Sequence, residues 1–149
     1  MTICVIVPEF ERNLVLSKKG RKTGKPKVWT VNGQSLYNAS LHFISRAKVT
    51  DYFHKYLSKY IKEQITKSQI QSLISHQLSI SLDIYEIKKG KLPDIGNLWI
   101  WIKWFEDALQ ECEVIPNDNS DIIIESGRTR YHWVETSEQR KLVFNIDFV

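Results

Sequence analysis

The sequence predicts an α+β domain, a mixed β-sheet with helices packed on one face. Three features carry that expectation. Residues 77–87, QLSISLDIYEI, alternate apolar and polar side chains with the period of a half-buried strand. Residues 47–65 and 97–111 instead repeat their apolar side chains every three to four positions, the period of an amphipathic helix. Short β-branched runs bounded by turn residues stand at both ends of the chain.

Taken in order, residues 2–7, TICVIV, form a strand in the sheet centre, ended by Pro8, which has no ladder donor. The loop from Pro8 to Pro26 is basic, and VWTV at 28–31 followed by Asn32-Gly33 predicts a short hairpin with a tight turn. The helix over 47–65 buries Val49, Phe53, Tyr56 or Leu57, Tyr60 and Ile61, and leaves Lys55, Lys59 and Lys62 off that stripe. In the 77–87 strand Leu78, Ile80, Leu82 and Ile84 share a face, and KKGKLPD ends it. The helix over 97–111 buries Leu98, Ile102, Phe105 and Leu109, and IPNDNS turns the chain. The two last segments, DIIIESGRTRYHWV and RKLVFNIDFV, separated by ETSEQ, read as an antiparallel hairpin. No internal repeat or second domain is visible, so residues 1–149 read as one domain.

With 149 residues, 42% hydrophobic content and five Trp, six Tyr and six Phe, the chain has ample material for a core, which argues against disorder. Its longest apolar stretches are too short to span a bilayer, and MTICVIVPEF lacks the basic start and cleavage site of a signal peptide. A soluble, cytoplasmic protein is expected. Cys4 and Cys112 form no CxxC or Cys/His pattern, and His42, His54, His76 and His132 lack ligand spacing, so neither a disulfide framework nor a zinc site is indicated. The net charge of +4 and pI near 9.0 favour polyanionic partners. Much of that charge is local: KKGRKTGKPK holds Lys18, Lys19, Arg21, Lys22, Lys25 and Lys27 without an acid.

Chemistry concentrates between Pro93 and Asp121. Asp94 follows a predicted strand and precedes a helix, and Asp118 lies in the turn entering the next strand; if the helix packs back on the sheet, both carboxylates are expected near the same sheet end. A hard cation such as Mg²⁺ binds through one or two carboxylates and completes its shell with waters and phosphate oxygens. Lys103, at i−4 to Asp107, can pair with that acid or reach a phosphate. On spacing alone the plainer reading is favoured: Asp94 as a helix N-terminal cap, Asp118 as a turn former and Lys103 as a solvated helix charge.

In this segment PDIGNL supplies Asp94, Asn97 and Leu98, KWFEDAL supplies Lys103, Asp107, Ala108 and Leu109, and VIPNDNSD supplies Asp118. The arrangement resembles the RusA-type Holliday-junction resolvases, whose pattern is a strand, a D-x-D-N-L run, a lysine in a helix continuing D-A-L, then a D-D pair and a final hairpin. Outside Pro93 to Asp121 the likeness is one of element order. The resemblance implies a RusA-like fold and Mg²⁺-dependent hydrolysis of the phosphodiesters of branched DNA. It implies Asp94 and Asp118 as metal ligands and Lys103 as a phosphate-stabilising group, with Mn²⁺ as a substitute cation. It also implies a homodimer with one site for each of two opposed strands, of the kind carried by phages and mobile elements.

The pattern departs from the family at three points. Gly96 stands where the second acid of D-x-D belongs, three extra residues precede Lys103, and Asn117 replaces the first acid of the D-D pair. Three residues are nearly one helical turn, so Lys103 faces the same way, displaced by about 5 Å. Asp121 or Asp83 could supply the missing ligand, though neither matches a family position.

Around this segment, the basic run at 18–27 offers phosphate contacts, and Tyr131, His132 and Trp133 with Arg128 and Arg130 could clamp unpaired bases. Trp99, Trp101 and Trp104 surround the 97–111 helix on more than one face, which predicts a homodimer contact. Three functions therefore compete: an Mg²⁺-dependent junction endonuclease, a catalytically inactive RusA-like DNA-binding or assembly protein, and an interaction module without nucleic acid.

Overall fold

In a computed structural model, residues 1–8, 10–17, 25, 27–37 and 43–149 are described. The elements are β1 (Thr2–Pro8), β2 (Asn13–Ser17), β3 (Lys27–Thr30), α1 (Gly33–Tyr37), α2 (Phe43–Gln64), α3 (Lys67–Leu73), β4 (Leu78–Ile87), α4 (Trp99–Glu111), β5 (Ile123–Val134) and β6 (Lys141–Phe148). Single 3-10 turns precede α4 at Ile95–Asn97 and β6 at Ser137–Gln139.

Four strands form a mixed sheet in the order β1-β6-β4-β5, so β1 is an edge strand and not the central one expected; β6 runs antiparallel to both neighbours and β5 parallel to β4. The period-two pattern of β4 decides its two faces. Leu78, Ile80, Leu82 and Ile84 are buried under the helices beside Ile3, Val5 and Val7 of β1 and Leu142, Phe144 and Ile146 of β6. Ser79, Ser81, Asp83 and Tyr85 take the other face, which no helix covers among the described residues. The expected α+β layering, with helices on one side of a mixed sheet, is therefore present.

The core is aromatic. Phe53 of α2 stacks on Trp104 of α4 with centroids 4.5 Å apart and meets Trp101 edge-on at 5.2 Å, while Phe105 stacks on Phe144 at 4.2 Å. Each such side chain, fully buried, is worth about 1.5–3 kcal/mol. Two of the three tryptophans of α4 are thus core residues, which leaves Trp99 as the one free for a partner surface. Trp101 and Trp104 are both 1% exposed, because α4 packs on the sheet and on α2 at once; only Trp99, at 41%, faces outward. It stacks on Tyr37.

Three local expectations are corrected. Asn32-Gly33 is not a hairpin turn: the Asn32 side chain accepts from Ser35 N (3.1 Å) and its carbonyl from Leu36 N (3.1 Å), so it starts α1, and β3 pairs with the upstream β2. Asn is as good an N-cap as a turn former. Helix α3 was not expected, although Thr66 and Gln69 form a capping box whose T-x-x-Q spacing is visible in the sequence.

The third correction sets the topology. The last two strands are not a hairpin, because β4 lies between them. The link from β5 to β6 crosses the end of β4, where Arg140 grips the buried Glu86 carboxylate through two bonds of 2.6 and 3.0 Å. Burial opposes the charge on Glu86, but Arg140 and the Ile87 amide outweigh it and hold its pKa below the usual value. The pair therefore leads β6 to the far side of β4.

Candidate functional site

The segment between β4 and β5 is a parallel crossover, so its two ends leave and re-enter at opposite ends of the strands. Beyond β4, the Pro93 carbonyl accepts from the Tyr131 hydroxyl at 3.0 Å, and the Asp94 carbonyl starts the 3-10 turn by accepting from Asn97 N. The Asp94 side chain makes no capping bond and is exposed. After α4, the Asn117 and Asn119 side chains accept from the amides two residues on, shaping the turn that presents Asp118.

Helix α4 is apolar over most of its circumference, which leaves a narrow polar flank of Lys103, Asp107, Gln110 and Glu111. On that flank Lys103 Nζ lies 2.9 Å from Asp118 Oδ2 and 3.0 Å from Asp107 Oδ1. From α2, His54 places Nε2 3.3 Å from Asp107 Oδ2, at ion-pair distance without hydrogen-bond alignment, and Nδ1 3.1 Å from Glu111 Oε1. One turn before Gln110, the buried Glu106 accepts from the Ser126 hydroxyl of β5.

These contacts fix the charges. Partial burial works against the Lys103 ammonium, but its bonds to Asp118 and Asp107 outweigh that and raise its pKa. Burial likewise opposes ionised Asp107, yet its contacts with His54 and Lys103 hold it low. Asp107, and then Glu111, raise the His54 pKa against its burial. Glu106 goes the other way: burial lifts it, only partly offset by Ser126.

Lys103 and Asp118, fifteen residues apart in the chain, are thus brought together, with Asp107 as the shared partner. Asp94 is not. The expectation that Asp94 and Asp118 reach the same sheet end is corrected: Asp94 follows the end of β4 and Asp118 precedes the start of β5, and those ends are opposite in a parallel pair. Tyr131, which holds Pro93, is level with Ile84, whereas Ser126, which holds Glu106, is level with Ile80. Four residues of strand are about 13 Å.

The replacement acids do not join either. Asp83 lies on the open face of the sheet, bonded to His132 (2.7 Å) and Asn145 (2.9 Å), and Asp121 is exposed. Tyr131, His132 and Trp133 do not form one clamp, since alternate strand residues point to opposite faces: Tyr131 stacks on Trp133, and His132 on Tyr85. Of the basic run, Lys18, Lys19, Arg21 and Lys22 fall outside the described residues. Lys25 is exposed, and Lys27 opens β3.

Among the described residues no three His, Cys, Asp or Glu groups converge as a metal cage. The donor set of Asp107 and Asp118 nevertheless fits a cation, because the Lys103 ammonium stands between them, and a hard divalent ion needs only one or two carboxylates. Asp107 was legible as the i+4 partner of Lys103. His54 was not, since only the packing of α2 on α4 brings it here.

No protein-family model matches this chain, and no curated protein matches it.

Proposed function

We propose that this chain is a RusA-like protein that binds branched DNA and hydrolyses its phosphodiester backbone with Mg²⁺, with Lys103, Asp107 and Asp118 as the reacting cluster in place of an Asp94–Asp118 pair. The observation that supports the reading most is the contact of Lys103 with Asp118, the lysine and the distal acid to which the resemblance gives site roles. Asp107 and Asp118 would hold the cation, which when bound supplies phosphate polarisation and an activated water. Lys103 offers a point charge on a flexible stem at the same place, suited to phosphate oxygens. His54 acts through Asp107 as a positioning residue. A homodimer belongs to this reading, one site serving each of two opposed strands.

The isolation of Asp94 and the absence of an acid at Gly96 favour a second reading, a RusA-like DNA-binding protein that does not cleave. One assay separates the two: binding and cutting of a synthetic four-way junction over Mg²⁺ and Mn²⁺ titrations. The first reading expects cutting that Asp118→Asn abolishes and Asp94→Asn leaves within about threefold, a small change beside the 10²–10³-fold loss typical of a removed charge-stabilising group. Junction binding without cutting in either metal establishes the second. Absence of any junction preference over duplex removes both.

A further inference from the structure

The uncovered face of the sheet carries a row of side chains that the cluster on α4 leaves unused. Because alternate residues of a strand share a face, Arg128, Arg130 and His132 of β5 stand in line, level with Ser81, Asp83 and Tyr85 of β4. Arg128 and Arg130 border a shallow cavity of about 540 Å³ that Ser81, Asp83, Asn145 and Asp147 also line. Both arginines are exposed, and among the described residues no ion pair or hydrogen bond engages either guanidinium. Strand β5 is also the sheet edge, so the row is open from the side as well as from above.

Three acids share this face: exposed Glu125, level with Ser79 at the start of the row, Asp83, level with Arg130 and within its field, and Asp147. Asp83 gives one oxygen to His132 and the other to Asn145, and Asp147 accepts from Thr2. Asp147 lies two strands away from the arginine row, about 9.6 Å at 4.8 Å per strand. The His132 ring is held from two sides, by Asp83 at 2.7 Å and by Tyr85 stacked at 4.6 Å, so it cannot swing away from the row. Two residues of strand separate the two arginine positions along β5 by about 6.6 Å. That spacing and the fixed fork of arginine suit neighbouring phosphates of one strand.

We infer that Arg128 and Arg130, with His132 held in line by Asp83, form a docking edge for the phosphodiester backbone of DNA on the open face of the sheet, remote from the cluster on α4. The inference rests on the DNA partner proposed above. It adds a second contact surface, across the sheet from the reacting cluster, which places the substrate on both sides of β5.

The test is fluorescence anisotropy of a labelled four-way junction against salt. Loss of two phosphate contacts in Arg128→Ala with Arg130→Ala is expected to weaken binding by more than about tenfold at 0.1 M salt. It should also reduce the slope of log K on log salt by about 1.8. Arg128→Lys with Arg130→Lys keeps the charge and should keep the slope. Thermal melting checks that each variant is folded. Wild-type affinity and slope in the alanine variant overturn the inference while leaving the DNA partner intact. So does an equal slope loss in Lys55→Ala with Lys59→Ala, exposed lysines of α2 on the covered side. Failure of the wild-type protein to bind any DNA instead removes the proposed function, and this docking edge with it.

Discussion

Lys103 and Asp118 meet at 2.9 Å, and the same ammonium reaches Asp107 at 3.0 Å, so one side chain ties the flank of α4 to the loop that enters β5. The partners are partly exposed, with 44% of the Lys103 side chain and 30% of Asp118 open to solvent. Water screens such pairs, which contribute at most about 1 kcal/mol. Lys103→Ala is therefore expected to lower unfolding free energy in urea by less than about 1 kcal/mol, yet to slow single-turnover junction cleavage by about 100-fold or more. A loss of stability with unchanged cleavage per folded molecule would make Lys103 a structural tie only.

Gly96 tests the missing acid directly. A Cβ built there meets nothing within 4 Å, so a side chain projects into open space beside Asp94. Gly96→Asp should change stability by no more than about 0.5 kcal/mol, as for other surface substitutions. It places two carboxylates at i and i+2 at the far end of α4, where the wild-type chain has only Asp94. Calorimetry should show an Mg²⁺-binding event in the variant that Asp94→Asn removes. Were the variant to bind no Mg²⁺, Asp94 would have no part in a metal site of this chain, with or without its neighbour.

What the sequence disclosed, and what it withheld, divides along the range of the interactions. The faces of β4 were readable because Leu78, Ile80, Leu82 and Ile84 alternate with polar residues; burial follows that alternation from Leu82 onward, while Ser79 and Ser81 are buried as well. Alternation gives a strand its faces but not its neighbours. The partner of β6 depends on Arg140 reaching Glu86 fifty-four residues earlier, a contact with no local signature. The site divides in the same way: Lys103 and Asp107 follow from helical spacing, Asp118 from motif, and His54 only from the packing of two helices. The error over Asp94 has the same origin, since which sheet end receives it depends on β5 being parallel to β4.

The His54 contact makes stability depend on pH. Asp107 and Glu111 raise the His54 pKa above the ordinary value of about 6.5. A group whose pKa is raised on folding contributes stability that is fully present below its unfolded pKa and disappears as pH rises through the folded one. Unfolding free energy should therefore fall between about pH 6.5 and the raised value, and His54→Gln should flatten that part of the profile. Depressed Asp107 acts in the opposite sense and far lower, its contribution vanishing as pH drops through its folded pKa. Urea titrations from pH 5 to 9 on both proteins decide the matter; parallel profiles would mean that the imidazole gains nothing from its neighbours.

Gly33 and Trp99 are coupled by packing. A Cβ on Gly33 would stand 2.5 Å from the Trp99 indole, which is held on its other side by stacking on Tyr37 at 5.9 Å. Helix propensity favours alanine over glycine by about 1 kcal/mol in a helix interior, but Gly33 opens α1, where that gain is smaller. Overpacking costs about 1–3 kcal/mol and should prevail, so Gly33→Ala is destabilising. Trp99→Ala removes the obstacle, and the double variant should be more stable than the sum of the single losses by at least about 0.5 kcal/mol. Strict additivity would show that the indole simply moves aside. The same proteins test the outward face of Trp99: if its exposed indole belongs to a homodimer contact, sedimentation should show weaker association for Trp99→Ala and for Gly33→Ala, which displaces the ring. Association unchanged in both variants would place the contact between copies elsewhere.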